Sequence, residues 1–179
     1  MNTTKPLVVI NVVGLTHGML GRDTPHISAL ASEGFARPLQ TVFPAVTCSV
    51  QTSLLTGSLP REHGIVGNGW YDRELAEVFF WRQSTRLVHG ERLYDAARRI
   101  DPAYTTAKMF WWYNMYSSAD WSVTPRPIYP ADGRKVFDVY AHPPGLRDKL
   151  VEELGEFPFP SFWGPRAGLP SSQWIADSA

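Results

Sequence analysis

An apolar run near the start of the chain, residues 7–13, constrains the fold more than any other feature of the sequence. It reads Leu-Val-Val-Ile-Asn-Val-Val and is almost continuously apolar and β-branched. Strands that are buried on both faces of a parallel sheet have this composition. A helix start follows at Thr24, with proline at the next position, and a second apolar run covers residues 35–42. The alternation of strand, helix and strand predicts an α/β fold with a mainly parallel sheet.

The rest of the chain continues this pattern as far as residue 112 and then loses it. From residue 113 onward, proline, glycine and aromatic residues interrupt the periodicity, and 171–179 opens like a helix that has no C-terminal cap. We therefore expect an N-terminal part of an α/β core at 1–112. At 113–179 we expect an insertion or cap region that leads into a truncated helix of a longer protein. Helices are predicted at 24–34, 47–55, 91–100 and 146–154, a strand or hairpin arm at 74–81, and a further strand at 105–112.

Composition excludes several classes of protein. The chain has 17 basic and 17 acidic side chains, so it lacks the positive field that binding to a nucleic-acid polymer requires. Cys48 is the sole cysteine, which excludes an internal disulfide and a cysteine-rich zinc site. No apolar run approaches the length of about 20 residues that spans a membrane. Residues 1–15 lack a cleavage site and are interrupted by Asn11, so we expect a strand there and a cytoplasmic protein.

The stretch 42–68 carries the strongest chemical signal. Thr47 lies where a helix is predicted to begin, directly after a strand. Free N–H groups and the helix dipole favour negative charge at such a position. A hydroxyl there can attack phosphorus while the amides hold the phosphoryl oxygens. The same threonine can also act only as a helix cap, and local chemistry taken alone favours that simpler role.

The residues that follow resemble the type I phosphodiesterase/nucleotide pyrophosphatase family of the alkaline phosphatase superfamily. In that family the nucleophilic threonine is followed by the pattern T-G-x-x-P-x-x-H-G-I-x-x-N, which residues 56–68 match without a gap. Counting back from Thr56 places the family's nucleophile on Thr47, and its oxyanion-binding asparagine falls on Asn68. Residues 107–111, Ala-Lys-Met-Phe-Trp, are similar to a later family strand. The resemblance covers about residues 7–112.

The resemblance implies an alkaline-phosphatase-like core with a mainly parallel central sheet flanked by helices, incomplete in this chain. It implies hydrolysis of phosphoric esters, of the phosphodiester or nucleotide pyrophosphate type, through a covalent phospho-threonine at Thr47. Two divalent metal ions, zinc first among them, would activate the threonine and stabilise the attacking and leaving oxygens. The implied substrate is a small phosphorylated molecule, and no membrane partner is expected.

The sequence departs from the family in its metal ligands. The family has a metal-binding aspartate at the end of the first strand, where this chain has Val13. Asn11 lies two residues earlier on the same predicted face, either as a weaker, neutral ligand beside Thr47 or as a local hydrogen-bonding residue. Asp138 and His142 are the one later hint of a ligand pair. We therefore expect most ligands to lie outside this chain, and the chain alone to be inactive.

Two other functions stay open. Gly67 and Asn68, followed by Trp-Tyr-Asp at 70–72, resemble phosphonoacetate hydrolases of the same superfamily, which favours a phosphonate hydrolase. The loss of the aspartate at Val13 suits a pseudoenzyme that binds phosphorylated ligands without turning them over.

Several residues near the motif have competing interpretations. His63 is expected to brace the loop before Asn68, and Cys48 to be buried and inert. A set of aromatic residues is expected either to pack in the core or to stack against a base or aryl leaving group: Trp111, Trp112, Tyr113, Tyr116 and Trp121.

Overall fold

The computed structural model describes residues 5–179. Contacts within the chain divide it into two units, one ending at Thr41 and the other running from Val42 to Ala179. The predicted division of the chain at residue 112 stays a prediction. In the part that the structure describes, no helix is both long and apolar enough to cross a bilayer.

Between residues 5 and 41, the first unit contains a single 3-10 turn, His17–Met19, and one α-helix, α1, Pro25–Glu33. Proline at the first helical position has its φ already set for a helix. The Thr24 hydroxyl does not cap α1 but donates to the carbonyl of Met19 at 2.9 Å, which fixes the preceding loop. The helix predicted at 24–34 is confirmed.

The two strands predicted in this region are wrong. Residues 7–13 and 35–42 have no regular structure, and apolar side chains in both segments are exposed, with Val13 and Phe35 each 81% accessible. A β-branched run becomes a strand only when a neighbouring strand supplies the hydrogen bonds of a ladder. The amino-acid composition of a segment indicates its tendency to form a strand. It does not indicate whether a neighbouring strand is present to pair with it.

The helices of the second unit follow their local signals. The predicted helices at 47–55, 91–100 and 146–154 are all present, with ends shifted by one or two residues. Gly57 follows the first of them with a left-handed φ of 65° and donates to the carbonyl of Ser53 at 2.8 Å, a conformation that glycine adopts without strain. The helices are α2, Thr47–Thr56; α3, Pro60–His63; α4, Leu93–Ile100; α5, Gly145–Leu154; and α6, Leu169–Asp177.

A β-hairpin follows the predicted motif directly. Strands β1, Gly69–Asp72, and β2, Glu77–Phe80, are antiparallel. The Asp72 carboxylate closes the turn by accepting from the backbone N–H groups of Glu74 and Leu75, at 3.0 and 2.8 Å. The strand predicted within 74–81 is therefore the second arm of a hairpin.

The larger sheet has three strands: β3, Ala107–Met109; β4, Trp121–Pro125; and β5, Val139–His142. β3 and β4 are parallel, whereas β4 and β5 are antiparallel. Between β4 and β5 the chain returns directly through a bridge that joins Ile128 to Val136, without a crossover helix. The mainly parallel central sheet is therefore not seen in the described residues, which form an α/β structure with small, mostly antiparallel sheets.

Two clusters of buried side chains hold the second unit together. The first, here called the Cys48 cluster, links α2 to the turn after β3, and the second packs α5 and α6 against the three-stranded sheet. The Cys48 cluster lies directly beside Thr47 in the chain, so it fixes the helix end that carries the candidate nucleophile. Its members are Cys48, Ile65, Val88, Trp112 and Tyr113, and the second cluster comprises Val123, Val139, Leu150 and Trp174.

Candidate active site

Thr47 is the first residue of α2 and is half-buried. The preceding residue, Val46, is extended and has no side chain that can cap the helix. Ser49 is fully buried, and its hydroxyl donates to the carbonyls of Pro44 and Val46, which fixes the chain where it enters the helix. The start of α2 therefore needs a hydrogen-bond acceptor from elsewhere in the molecule.

Asn68 supplies that acceptor. Its Oδ1 accepts from the backbone N–H of Cys48 at 2.9 Å, across 20 residues of sequence. Its backbone carbonyl accepts from the N–H of Trp81, also at 2.9 Å, at the base of the hairpin. With Oδ1 engaged as an acceptor, Nδ2 is the donor end of the amide, and it makes no hydrogen bond to another described residue. Thr47 and Asn68 are therefore brought together at one end of α2.

His63 is a structural residue, as the sequence suggested. It is fully buried, and its Nδ1 accepts from the N–H of Ile65 at 3.1 Å. Nε2 must then carry the proton and donate to the Ser53 hydroxyl, 2.9 Å away on α2. Burial lowers the pKa of His63 below its usual value of 6.5, so the ring stays neutral. The neutral ring ties α2 to the chain segment that leads to Asn68.

The Cys48 thiol is not a competing nucleophile. It is fully buried, and burial raises its pKa to about 11, against a weaker opposing effect from the Tyr113 hydroxyl beside it. A thiol with so high a pKa carries almost no thiolate at neutral pH. The interpretation of Cys48 as an inert core residue agrees with this burial, and the half-buried Thr47 remains the candidate nucleophile of the pair.

A broad aromatic groove is lined in part by Trp81, the residue whose backbone N–H donates to the carbonyl of Asn68. It has a volume of about 1140 Å³. The Trp112 and Trp163 rings are parallel within 1°, with centroids 6.4 Å apart, and the Trp81 ring lies 4.9 Å from that of Trp112. Gln51 of α2 accepts from the backbone N–H of Trp112 at 2.9 Å, so the groove is joined to α2 as well as to Asn68. Other lining residues include Phe79, Phe80, Arg82, Gln83, Arg126 and Tyr129.

Sequence reasoning identified only one of the groove tryptophans. Of the aromatic residues singled out, Trp112 lines the groove. Tyr113 is buried in the Cys48 cluster, and Tyr116 is exposed under the Arg86 guanidinium. Trp81 and Trp163 were not predicted to line the groove. Trp81 directly follows strand β2 of the hairpin, and Trp163 directly precedes a 3-10 turn, Gly164–Arg166, far along the chain. No local pattern in the sequence marks that convergence.

Comparison with known proteins decides the family. The model of the family described as type I phosphodiesterase/nucleotide pyrophosphatase matches residues 7–179. The chain belongs to this family. The alkaline phosphatase PafA of Elizabethkingia meningoseptica is 40% identical over 81 residues, which is 38% of this chain and 15% of that protein. The chain thus spans about a seventh of the length of this curated relative.

The family is described by its phosphodiesterase and nucleotide pyrophosphatase members, and the matching relative is an alkaline phosphatase. The described residues of this chain do not form a metal centre by themselves. No three His, Cys, Asp or Glu side chains among residues 5–179 lie close enough together to hold an ion. The donors that the sequence offers near the motif are a threonine hydroxyl and an asparagine amide, which are weak ligands without carboxylates or imidazoles beside them.

The predicted ligand residues fall in different units of the chain or are otherwise engaged. Asn11 belongs to the first unit and Thr47 to the second, so Asn11 as a metal ligand stays a prediction. Asp138 forms an ion pair with Arg147, with Oδ1 and Nε 2.7 Å apart, and also accepts from the N–H of Val139. A metal at Asp138 would have to displace that arginine.

Proposed function

We propose that the chain carries the nucleophile part of a metal-dependent hydrolase of phosphoric esters, of the phosphodiester or nucleotide pyrophosphate type. Thr47 is the nucleophile and Asn68 the donor to a non-bridging oxygen. The observation that supports this most is the hydrogen bond between the Cys48 N–H and Asn68 Oδ1, 2.9 Å long. It joins the two ends of the family motif at the start of one helix.

The start of α2 suits a phosphoryl group. Val46 donates to the carbonyl of Pro44 and Val50 to that of Val46, both at 3.0 Å, so the helical ladder begins at Val50. The N–H groups of Thr47 and Ser49 precede this ladder, where the helix presents partial positive charge. Together with Nδ2 of Asn68, they offer donors to the oxygens that gain charge during the reaction.

The reaction proceeds in two displacements at phosphorus. The Thr47 oxygen forms a bond to phosphorus as it loses its proton, and the bond to the leaving oxygen breaks, releasing an alcohol or a phosphate group that takes up a proton. Water then attacks the phospho-threonine, which releases the phosphorylated product and restores the hydroxyl. Asn68 holds a phosphoryl oxygen through both steps, because its side chain is already fixed against Cys48.

The proposal includes two divalent cations, with zinc as the first candidate. When bound, such cations lower the pKa of a coordinated hydroxyl. Thr47 and Asn11 are the proposed contributions of this chain, and the remaining ligands are proposed to lie outside it. The described residues do not complete a site for these cations.

The organic group of the substrate is proposed to lie in the aromatic groove. Trp81 lines this groove and donates its backbone N–H to the carbonyl of Asn68, so a phosphoryl group at Asn68 has an aromatic surface beside it. Indole rings stack well against flat leaving groups such as aryl groups or bases. The opposing interpretation, that these rings only pack the core, suits Trp112, which is 6% exposed.

Substitution of Thr47 tests the nucleophile in the complete natural protein. Hydrolysis of bis(p-nitrophenyl) phosphate should fall by about 10³-fold or more in Thr47→Ala, because the attacking oxygen is removed. Thr47→Ser should keep measurable activity, and mass spectrometry of acid-quenched protein should find the phosphate on residue 47. Ser58→Ala, at the other end of α2, is the matched control and should keep the wild-type rate. A Thr47→Ala variant with wild-type activity would refute the assignment.

Val13 favours a second candidate function, that of a pseudoenzyme that binds phosphorylated ligands and does not hydrolyse them. It occupies the position where the family has its aspartate ligand, and valine cannot bind a cation. Calorimetric titration of the complete protein with zinc and with manganese separates the two. Tight binding of two ions supports the hydrolase, and phosphate binding without metal binding or turnover supports the binder.

A phosphonate hydrolase is distinguished by its substrate. Faster release of phosphate from phosphonoacetate than hydrolysis of diesters would identify that activity.

A further inference from the structure

A small cavity lies beside the C-terminal half of α2, away from the Thr47 end of that helix. Its volume is about 10 Å³, close to what one water-sized particle needs. α2 contributes Thr52, α4 contributes Tyr94 and β3 contributes Lys108, so three elements meet there. The other lining residues are Leu55, Thr56, Thr85, Val88, Arg92, Trp112 and Tyr113, and most of the lining is buried.

The cavity contains more positive than negative charge. Lys108 is 4% exposed, and its Nζ donates to the carbonyls of Trp112 and Tyr113 at the long distances of 3.5 and 3.4 Å and lies 5.1 Å from the centre of the Tyr94 ring. Arg92 also lines the cavity, but it is paired with Asp95, whose Oδ2 lies 3.1 Å from Nε. No carboxylate is among the lining residues. Burial and the nearby Arg92 charge lower the pKa of Lys108 to about 7, only partly opposed by Asp95, so the charged form of Lys108 costs free energy unless an anion lies beside it.

The hydroxyls around the cavity also lack acceptors. The oxygens of Thr52, Tyr94 and Tyr113 are buried and complete no hydrogen bond of good geometry within the described structure. Tyr94 lies near Arg92, and Tyr113 lies near Cys48, without satisfying either hydroxyl. Buried polar groups of this kind normally have a partner. Three O–H donors and an ammonium donor on one cavity are complementary to an acceptor that carries negative charge.

We propose that this cavity binds one small monovalent anion of the halide class, held by Lys108 and the surrounding hydroxyls. The anion supplies the missing negative charge and accepts from donors that otherwise have no partner. A single neutral water would satisfy some of the hydroxyls, but only an anion would also stabilise the charged form of Lys108. Bound there, the anion joins α2, α4 and β3, and so stiffens the helix that presents Thr47 without touching the reacting atoms.

Thermal unfolding of the full chain in different sodium salts tests the proposal. Melting temperatures are compared in chloride, bromide and gluconate at equal ionic strength, gluconate being too large for the cavity. A halide at ten times its dissociation constant should raise the melting temperature by about 3–5 °C over gluconate, with saturation. Equal melting temperatures in the three salts would overturn the proposal.

Substitutions at the cavity locate the effect. Lys108→Met should lose the halide-dependent increase, while melting in gluconate at or above the wild-type temperature because an unpaired buried charge is gone. Tyr113→Phe keeps the ammonium and should show a smaller increase than the wild type. Lys149→Met removes an exposed lysine on α5 and should keep the full increase. An increase that persists unchanged in Lys108→Met contradicts the site.

Crystals of the wild-type protein grown in sodium bromide give an independent measurement that requires no variant. An anomalous scattering peak is expected inside the cavity, within hydrogen-bonding distance of Lys108 Nζ. An ordered water without anomalous signal at that position would reject the anion in favour of a hydration site. This measurement does not require hydrolytic activity. It therefore tests the anion site independently of the proposed role of Thr47.

Discussion

At the scale of single residues, Asn68 has one observed structural function and one proposed function in the reaction. Its Oδ1 satisfies the N–H of Cys48 at the start of α2, which is the function of a helix cap. Its Nδ2 is the donor that the proposed reaction uses. The sequence motif predicted the second function from family spacing alone, whereas the cap is visible only once the chain has folded. The two functions belong to different atoms, so suitable substitutions distinguish them.

Asn68→Asp should separate stability from activity. The carboxylate still accepts from Cys48, and negative charge is favourable at a helix start, so the melting temperature should stay within about 2 °C of wild type. The N–H donor is lost and the charge repels a phosphoryl oxygen, so hydrolysis of an aryl diester should fall by about 10²–10³-fold. Asn68→Ala loses the cap as well and should be less stable by about 1 kcal/mol. Full activity in Asn68→Asp would argue against the donor.

His63 should make the fold sensitive to mild acid. Its pKa in the folded state is lowered by burial from 6.5, so the unfolded chain takes up a proton first as the pH falls. The unfolded state then binds more protons, and the free energy of unfolding decreases below about pH 6.5. Urea unfolding at pH 7.5 and pH 5.5 should show a smaller loss in His63→Gln than in the wild type. His26→Gln, on the exposed surface of α1, is the control and should behave as the wild type. An equal loss in all three proteins would exclude His63 as the cause.

At the scale of elements, local signals predicted helices well and strands poorly. The helices at 24–34 and 47–55 were predicted from a proline at the first position and from glycines at the ends, and these act within a few residues. The apolar runs 7–13 and 35–42 carry equally clear strand composition, yet they form none. β4 went unnoticed, although it is the central strand of its sheet. A strand depends on partners that no local pattern reveals.

Gly69 at the start of β1 is a specific requirement of the hairpin. A Cβ atom there would lie 2.5 Å from the Phe80 ring and 2.9 Å from the carbonyl oxygen of Phe79. Gly69→Ala should therefore lower the free energy of unfolding by about 1–3 kcal/mol, because strand pairing must shift. Gly18→Ala has open space around its Cβ and should change stability far less. Denaturation in urea measures both, and a Gly69→Ala variant as stable as Gly18→Ala would contradict the close approach.

At the scale of the whole molecule, the second unit is held by aromatic contacts between distant segments. The last helix, α6, packs against the three-stranded sheet through Trp174, which is 5% exposed and donates its indole N–H to the carbonyl of Gly155 at 3.0 Å. Its ring meets those of Phe110 and Phe157 edge-on. The sequence predicted the beginning of a helix here. Its packing partners come from 64 and 17 residues earlier in the chain, which no local pattern could indicate.

Trp174 should therefore be a major contributor to stability. Trp174→Ala should cost about 3–5 kcal/mol in the free energy of unfolding, since it empties a buried aromatic site. Trp174→Phe should recover part of that loss while leaving the Gly155 carbonyl without its donor. Gln173→Ala, on the exposed side of the same helix, should stay within about 0.5 kcal/mol of the wild type. Urea unfolding followed by circular dichroism gives the three values, and a small effect in Trp174→Ala would show that α6 is peripheral.

The double attachment of Asn68 has a practical consequence for chimaeric proteins. Its side chain belongs to the helix and its carbonyl to the hairpin, through Cys48 and Trp81 respectively. Replacing the hairpin with that of a relative, in order to change substrate specificity, also replaces the residue that hydrogen-bonds to the Asn68 carbonyl. The position of the Asn68 side chain can change as a result. An exchanged segment should therefore comprise residues 68–81 together. A junction between residues 68 and 69 would separate Asn68 from the hairpin whose Trp81 N–H its carbonyl accepts.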